Sequence, residues 1–245
     1  MLHYERSGNT GGDTIVMIHG FLGGSRIFHK VMEELEEHYD IIRVDLPGHG
    51  KSALEMASYT VYDYAQAVAE VLKHEKVASA TWLGHSMGGY IVLAALEKDI
   101  AEIDKAILVY SSASTDSPET LKKRDQQKAD ILQNGVKAYV DGGINAFFGA
   151  APLTEDVDFA RQIGYEAAAE GLVAALDAMK VRPDQTSFMH ELSTPILVIE
   201  GSDDPVVAPI ETENIAVQKI ITKTGHLGML EDAQAFTKAI KQFLG

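Results

Sequence analysis

The clearest chemical signal in the sequence is a serine set between glycines, in the run Gly84-His85-Ser86-Met87-Gly88. A short apolar stretch, Ala80–Leu83, precedes this run, and a stretch rich in Ala and Leu follows it. A strand that turns directly into a helix forces the residue at the turn into strained backbone angles, and the nearby glycines remove Cβ atoms that would clash. This context predicts that Ser86 is an exposed nucleophile at the start of a helix. Without it, the run would be an ordinary glycine-rich turn.

A serine hydroxyl needs a base to take its proton, and histidine is the usual base. Hydrolases with this kind of turn carry the acid and then the histidine late in the chain, where only His190 and His226 occur. His190 precedes a strand-like stretch, and we expect it in solvent or at a helix end. His226 directly follows the stretch Val217–Ile221, and its flanking glycines leave room for the ring. We therefore predict that His226 is the base.

Three aspartates are candidates for the carboxylate that orients this histidine. Asp203 and Asp204 stand side by side after the apolar stretch Pro195–Ile199. The following Pro205 favours extended backbone at Asp204, which would hold that side chain in one direction. Asp116 follows another strand-like stretch and would reach the same histidine from a neighbouring strand end. Because aspartates are also common turn residues, the residues alone leave the choice open.

An oxyanion formed at the serine needs two backbone N–H donors. Met87, the residue after the nucleophile, supplies one of them. The other is expected from the glycine-rich loop that follows the stretch Thr14–Ile18, and we assign it to Phe21. Apolar side chains are expected to line the pocket for the substrate; the candidates are Leu22, Phe147, Phe148 and Met179.

Composition excludes several other kinds of chemistry. The chain has no cysteine, which excludes disulfides, thiol catalysis and thiolate-bound metals. No two histidines have the spacing of a metal motif, and we expect neither metal nor cofactor. The formal net charge of −15 repels nucleic acid and anionic membrane surfaces. We therefore expect a small-molecule substrate.

Length and hydropathy point to one large domain. The chain has 245 residues and a mass of 26.6 kDa, which is enough for a hydrophobic core that needs no disulfides or metal ions to stabilise it. Its first residues lack the pattern of a secretion signal, and its apolar stretches are far shorter than the ~20 residues of a membrane span. We therefore expect a soluble, cytoplasmic protein.

Short apolar stretches alternate with stretches of helical periodicity along most of the chain. This alternation predicts an α/β fold, with a mainly parallel twisted sheet and helices on both faces. The predicted strands are Thr14–Ile18, Asp40–Val44, Ala80–Leu83, Ala106–Val109, Pro195–Ile199 and Val217–Ile221. The predicted helices are Ile27–His38, Val61–His74, Met87–Glu97 and Ala233–Phe243.

The alternation is interrupted once, between Ser114 and Glu191, where helical patterns occur without a convincing strand. Pro118–Gln133 and Phe159–Ala169 are amphipathic stretches in this region. Because the region falls between two strands of the sheet, it predicts an inserted helical cap at one end of the sheet. We expect the cap at residues 115–191 and the core at residues 1–114 and 192–245.

Together these motifs resemble the serine hydrolases of the α/β-hydrolase fold family over nearly the whole chain. The segments that carry the resemblance are HGF at 19–21, DLPGHGKS at 45–52, GHSMGG at 84–89, PILVIEGSDDPVV at 195–207 and GHLGMLED at 225–232. In that family the acid is the third residue after the glycine of the fourth segment, which implies Asp204. Residues 179–184 are similar to those of small capped bacterial esterases and lactonases.

The resemblance implies hydrolysis of carboxylic esters or lactones by Ser86, His226 and Asp204 through an acyl-enzyme. An alternative is a lyase like the menaquinone-pathway synthase of this fold, which binds a polyanionic substrate through several arginines. The predicted cap offers only Arg124, Arg161 and Arg182, and this makes the lyase the second choice. A third hypothesis is a ligand-binding or signalling protein that keeps the three residues but does not catalyse a reaction.

Overall fold

The computed structural model describes residues 1–245. Its centre is a seven-stranded sheet with the strand order β1-β3-β2-β4-β5-β6-β7. The edge strand β1 pairs with β3 in antiparallel fashion, and the remaining neighbours pair in parallel. The strands are β1 (Tyr4–Gly8), β2 (Thr14–Ile18), β3 (Asp40–Val44), β4 (Ser79–His85), β5 (Glu102–Val109), β6 (Ile196–Gly201) and β7 (Val217–Thr222).

Helices surround this sheet, so the predicted α/β architecture is confirmed. They are α1 (His29–Glu36), α2 (Val61–His74), α3 (Met87–Glu97), α4 (Pro118–Gly143), α5 (Thr154–Tyr165), α6 (Ala169–Lys180), α7 (Thr186–Glu191), α8 (Gly228–Glu231) and α9 (Ala233–Leu244). Short 3-10 helices cover Ser25–Phe28 and Ile144–Phe147. None of the helices combines the length and apolarity that a membrane span requires.

The central strands are apolar along their length because helices cover both faces of the sheet. In β2, for example, Ile15, Val16, Met17 and Ile18 are all fully buried. The parallel register also aligns the strand ends: Ile18 pairs with Gly84, and His85 pairs with Val109. Since the carboxyl ends of parallel strands meet at one edge, the loops that follow β2, β4, β5, β6 and β7 are gathered there.

Two local features differ from the sequence prediction. Strand β1 was not predicted, because it is a short polar edge strand without an apolar run. The amphipathic stretch Phe159–Ala169 is helical only as far as Tyr165, where α5 ends, and α6 begins at Ala169. Within α4, Gly135 leaves helical geometry with φ 82° and ψ 163°, which places a break just after the predicted helix Pro118–Gln133.

Four helices, α4 to α7, lie between β5 and β6 in the chain. Their residues fall inside the region from which the sequence predicts a cap. The boundaries of that cap, 115–191, and of the core, 1–114 and 192–245, stay predictions.

Helix α3 lies closer to the sheet than side chains would allow. A Cβ added at Gly84 would lie 2.2 Å from Gly88 O, and one added at Gly88 would lie 2.3 Å from Ile18 O. The first turn of α3 therefore packs backbone against backbone, on β4 and on the end of β2. This contact determines where the helix begins relative to the sheet.

Replacing Gly88 with Ala should destabilise the fold because the added methyl group has no space beside Ile18 O. Overpacking of this kind costs roughly 1–3 kcal/mol, and we expect a clear drop in Tm measured by circular dichroism. Gly11→Ala is the matched control, since its nearest neighbour would be Asn9 Oδ1 at 3.7 Å. Equal melting temperatures for the two variants would contradict this account of the packing.

Candidate active site

Ser86 occupies a strained turn between β4 and α3. Its backbone angles are φ 53° and ψ −116°, a region that residues with a side chain rarely adopt. The turn is held by its own main chain: Ser86 N–H donates to Val109 O at 2.9 Å, and Gly89 N–H donates to Ser86 O at 2.9 Å. The hydroxyl of Ser111 also donates to Ser86 O, at 2.8 Å. The side chain is left partly exposed at the carboxyl edge of the sheet.

His226 is paired with one of the two adjacent aspartates. Its Nδ1 lies 2.8 Å from Asp204 Oδ2, and both side chains are almost completely buried. The other oxygen, Asp204 Oδ1, accepts backbone N–H groups from Val206 at 2.7 Å and Val207 at 3.2 Å. Asp203 is exposed, and its carboxylate accepts only the Ser202 hydroxyl, at 3.3 Å. The contact between the histidine and the carboxylate is therefore made by Asp204.

The second ring nitrogen of His226 is left without a partner. Because a carboxylate accepts at Nδ1, the neutral ring carries its proton there, and Nε2 is a bare lone pair. Nε2 is buried and makes no hydrogen bond. Buried polar atoms rarely lack a partner, and exceptions often have a functional reason. A buried, unpaired nitrogen lone pair is what a general base offers to a substrate or nucleophile.

The backbone of His226 is also held, from both sides. Its N–H donates to Phe147 O at 2.8 Å, and its carbonyl accepts Nε2–H of His85 at 2.9 Å. His85 directly precedes Ser86, and the centroids of the two imidazole rings are 5.0 Å apart. The candidate base is thus tied to the residue beside the candidate nucleophile.

The loop after β2 packs directly on Ser86. A Cβ added at Gly20 would lie 2.8 Å from Ser86 Cβ, so only glycine fits between this loop and Ser86. His19 fastens the loop, because its Nε2 accepts Leu46 N–H at 2.9 Å and its Nδ1–H donates to Gly20 O at 2.7 Å. Phe21 follows and lies with Ser86 in the wall of one cavity. The predicted oxyanion donors, Phe21 and Met87, therefore belong to the two segments that border Ser86.

The remaining candidates for the acid and the base have other partners. Asp116 forms ion pairs with Arg124 and with Arg182, the latter at 2.8 Å. Burial acts to raise the pKa of Asp116, but the two arginines outweigh it and hold that pKa below its ordinary value. His190 is exposed on α7, with Nδ1 3.2 Å from Thr212 Oγ1. Neither residue contacts His226.

A cavity of about 190 Å³ opens beside Ser86. Of the predicted lining residues, Phe147 and Met179 are in its wall, whereas Leu22 and Phe148 are buried in the hydrophobic core. Much of the remaining wall is polar or charged. Those polar residues are Ser112, Ser114, Thr115, Asp116, Ser117, Thr120, Arg124, Gln127 and Arg182.

Sequence reasoning missed this polar wall. Arg182 lies over the Tyr90 ring, 4.1 Å from its centroid, and donates to Met179 O and Ser114 O at 2.8 Å each. The available signal was the density of serine and threonine residues from 111 to 120. They directly follow a strand that ends at the edge of the sheet where Ser86 lies. No group of three or more histidine or acidic side chains is arranged to hold a metal ion.

Comparison with known proteins decides the family. The model of the alpha/beta hydrolase fold family matches residues 13–149. The chain belongs to this family. An esterase from Thermogutta terrifontis, solved with malate bound, superposes on this α/β hydrolase with a TM-score of 0.91 and 27% identity, covering 99% of this chain and 92% of that one.

Relatives in sequence carry different activities. An uncharacterised hydrolase of Bacillus subtilis, YugF, is 39% identical over 112 residues, which are 45% of this chain and 41% of that protein. The pimeloyl-[acyl-carrier protein] methyl ester esterase of Vibrio vulnificus is 24% identical over all of this chain and 98% of its own. A 2-succinyl-6-hydroxy-2,4-cyclohexadiene-1-carboxylate synthase from an Enterobacter species is 25% identical over 98% of this chain and 94% of its own.

Three buried histidines around the site are held neutral. Burial lowers the pKa of His19, and burial together with the neighbouring His226 lowers that of His85 well below its ordinary value. Burial and the neighbouring His19 lower the pKa of His49 to about 3. In the unfolded chain these histidines would take up protons near pH 6.5. The folded α/β hydrolase therefore binds fewer protons than the unfolded chain below that pH.

We expect stability to be complete above about pH 6.5 and to fall as the pH decreases toward 3. Each such histidine contributes up to about 1.4 kcal/mol per pH unit in this window. The measurement is Tm at pH 7.5, 6.5 and 5.5 for wild type and His49→Gln, in which the decrease should be shallower. The exposed His190→Gln is the control and should keep the wild-type slope. A wild-type slope in His49→Gln would show that His49 does not contribute.

Proposed function

We propose that this α/β hydrolase cleaves carboxylic esters or lactones by a serine acyl-enzyme mechanism. The observation that carries the proposal is the state of His226: Nδ1 is bound to Asp204, and Nε2 is buried without a partner. The ring lies beside the residue that precedes the strained Ser86. Esterases among the relatives support the choice of reaction.

In the first half of the reaction, Ser86 Oγ attacks the acyl carbon while His226 Nε2 takes its proton. Asp204 keeps the proton of the neutral ring on Nδ1 and stabilises the imidazolium that forms. The oxyanion accepts backbone N–H groups from Phe21 and Met87. Met87 is the first residue of α3, so its N–H precedes the intrahelical hydrogen bonds and lies at the positive end of the helix dipole.

The first half ends when His226 gives its proton to the leaving alkoxide, which departs as the alcohol and leaves the acyl group on Ser86. In the second half, this ester between Ser86 and the acyl group is hydrolysed. Nε2 then takes a proton from water, and the hydroxide attacks the acyl carbon. His226 finally returns that proton to Ser86 Oγ, so that the acid is released and the enzyme is restored.

The cavity indicates a small and polar substrate. We propose that residues 115–191 act as the cap, since they supply Phe147, Met179 and most of the polar wall. A volume of about 190 Å³ leaves little space for a long acyl chain. An alkyl chain would cover the hydroxyl groups of the wall without replacing their hydrogen bonds to water. This loss opposes its binding. Short acyl groups that carry a hydroxyl or carbonyl fit this wall better.

The synthase-like lyase is the second candidate because two predicted arginines, Arg124 and Arg182, do line the cavity. Both are paired with Asp116, so that the three side chains together carry one positive charge. A polyanionic substrate would require more unpaired positive charge than this. The pairing therefore favours ester hydrolysis over the lyase.

Mutation of the proposed triad tests the function. Ser86→Ala should lower kcat on p-nitrophenyl acetate by on the order of 10⁴-fold or more, and Asp204→Asn by on the order of 10³- to 10⁴-fold. The reason for the second loss is that an amide does not hold the ring in the required tautomer. A fluorophosphonate should label wild type at Ser86, and peptide mass spectrometry reports the labelled site.

Asp203→Asn is the matched control, because its side chain is exposed and does not contact His226. It should lose no more than a few-fold in kcat. Inactive Asp203→Asn beside active Asp204→Asn would reverse the assignment of the acid. Ligand binding without turnover, unchanged in Ser86→Ala, would favour a receptor over an enzyme.

A panel of esters and lactones tests the polar cavity. We expect kcat/KM to be highest for short acyl groups, to be greater for 3-hydroxybutyrate than for butyrate esters, and to fall by roughly tenfold or more at octanoate. A purely apolar pocket would instead gain up to about 0.8 kcal/mol per buried methylene. Thr120→Val should weaken the preference for 3-hydroxybutyrate, and Thr154→Val, outside the cavity, should not. A steady rise from acetate to octanoate would contradict the polar-cavity proposal.

A further inference from the structure

Glu231, on the short helix α8, joins two loops that are far apart in sequence. Its Oε1 accepts Gly225 N–H and its Oε2 accepts Gly149 N–H, each at 3.0 Å. Gly225 directly precedes His226, and Gly149 lies in the segment between β5 and β6, two residues after Phe147. One carboxylate therefore holds the loop of the proposed base against the proposed cap.

The two loops are in direct backbone contact at this point. A Cβ added at Gly225 would lie 2.3 Å from Gly149 N, so no side chain separates them. His226 N–H donates to Phe147 O at 2.8 Å, and the Phe147 ring centroid is 5.7 Å from that of His226. Phe147 is also part of the cavity wall beside Ser86. The base and this part of the wall thus share one set of hydrogen bonds.

The surroundings of Glu231 leave its side chain to main-chain donors alone. Burial raises the pKa of Glu231, the N–H groups of Gly149 and Gly225 act against that rise, and nearby Asp156 adds to it. The neighbouring cation, Lys30, pairs with Asp156 Oδ1 at 2.5 Å and donates to Leu230 O at 3.1 Å. Glu231 makes no ion pair with a lysine or arginine, and its partners are main-chain N–H groups.

We propose that Glu231 is a positioning residue that fixes the His226 loop to the segment at 147–149, so that the base and the cavity wall keep one relative position. This inference rests on the proposed function, because it assigns His226 the role of base. Glu231 does not touch the reacting atoms in this scheme. It acts by keeping Nε2 at the place where the serine proton must be transferred.

Glu231→Gln and Glu231→Ala test the proposal. The glutamine has the same size but presents an NH2 group to one of the two donors, and the alanine removes both acceptors. We expect kcat on p-nitrophenyl acetate to fall by roughly tenfold or more, because misplacement by ~1 Å can cost 10²-fold. KM for this small ester should change little, since Glu231 is outside the cavity wall.

Asp232→Ala is the matched control for a loss of stability alone. Asp232 is the next residue, and its carboxylate also accepts one backbone N–H, from Ala235 at 2.9 Å, as the N-cap of α9. This variant should lower Tm while leaving kcat at the wild-type value. A fall in kcat that simply followed Tm across Asp232→Ala and the Glu231 variants would contradict a positioning role.

Hydrogen exchange measured by mass spectrometry gives a readout that does not depend on turnover. In Glu231→Gln, amides of peptides covering 145–151 and 222–228 should exchange faster together, and in Asp232→Ala they should not. Wild-type exchange and wild-type kcat in Glu231→Gln would overturn the proposal. If wild type hydrolyses no ester, the proposed function fails, but the exchange experiment still decides whether Glu231 joins the two loops.

Discussion

The site depends on a close approach of main chains that leaves no space for side chains. Gly84 and Gly88 allow the start of α3 to contact β4 and β2. Gly20 allows the loop after β2 to contact Ser86 itself. The backbone angles of Ser86 cost free energy, and these contacts hold the residue in them. The strain persists because the surrounding sheet and helix determine the conformation of the turn. A serine partly exposed at the edge of the sheet, with the loop after β2 packed against it, follows from this geometry.

Main-chain groups bind the buried imidazoles around the turn, and burial keeps these rings neutral by lowering their pKa. His19 bonds to Leu46 N–H and Gly20 O, and His85 bonds to His226 O. In each ring the proton is placed by a backbone partner, so the tautomer follows from the fold. His226 differs, because a carboxylate, Asp204, takes its Nδ1–H. The Nε2 atom of His226 is thereby left as a buried lone pair, in the ring that lies beside His85.

The cavity wall agrees only in part with the sequence prediction. Of the four apolar residues expected to line it, Phe147 and Met179 do so, whereas Leu22 and Phe148 are packed in the core. Apolar side chains stabilise the folded state most when they are fully buried, which favours their packing in the core over the cavity wall. Hydroxyls and the group of Asp116, Arg124 and Arg182 occupy the remaining wall. These three charged side chains remain near Ser86 because they supply one another with the hydrogen bonds that water would otherwise give.

The sequence by itself determined the fold class and the local geometry of the turn at Ser86. Strand and helix periodicities, and the glycines needed by the turn, are short-range properties that a linear pattern records. It also limited the candidates for the proposed acid to three aspartates and those for the proposed base to two histidines. Only the tertiary structure showed that Asp204 contacts His226, that Asp116 is held by two arginines, and that Glu231 joins two distant loops. These are contacts between residues far apart in the chain, and which of several chemically equal side chains meet is decided by strand register and loop direction.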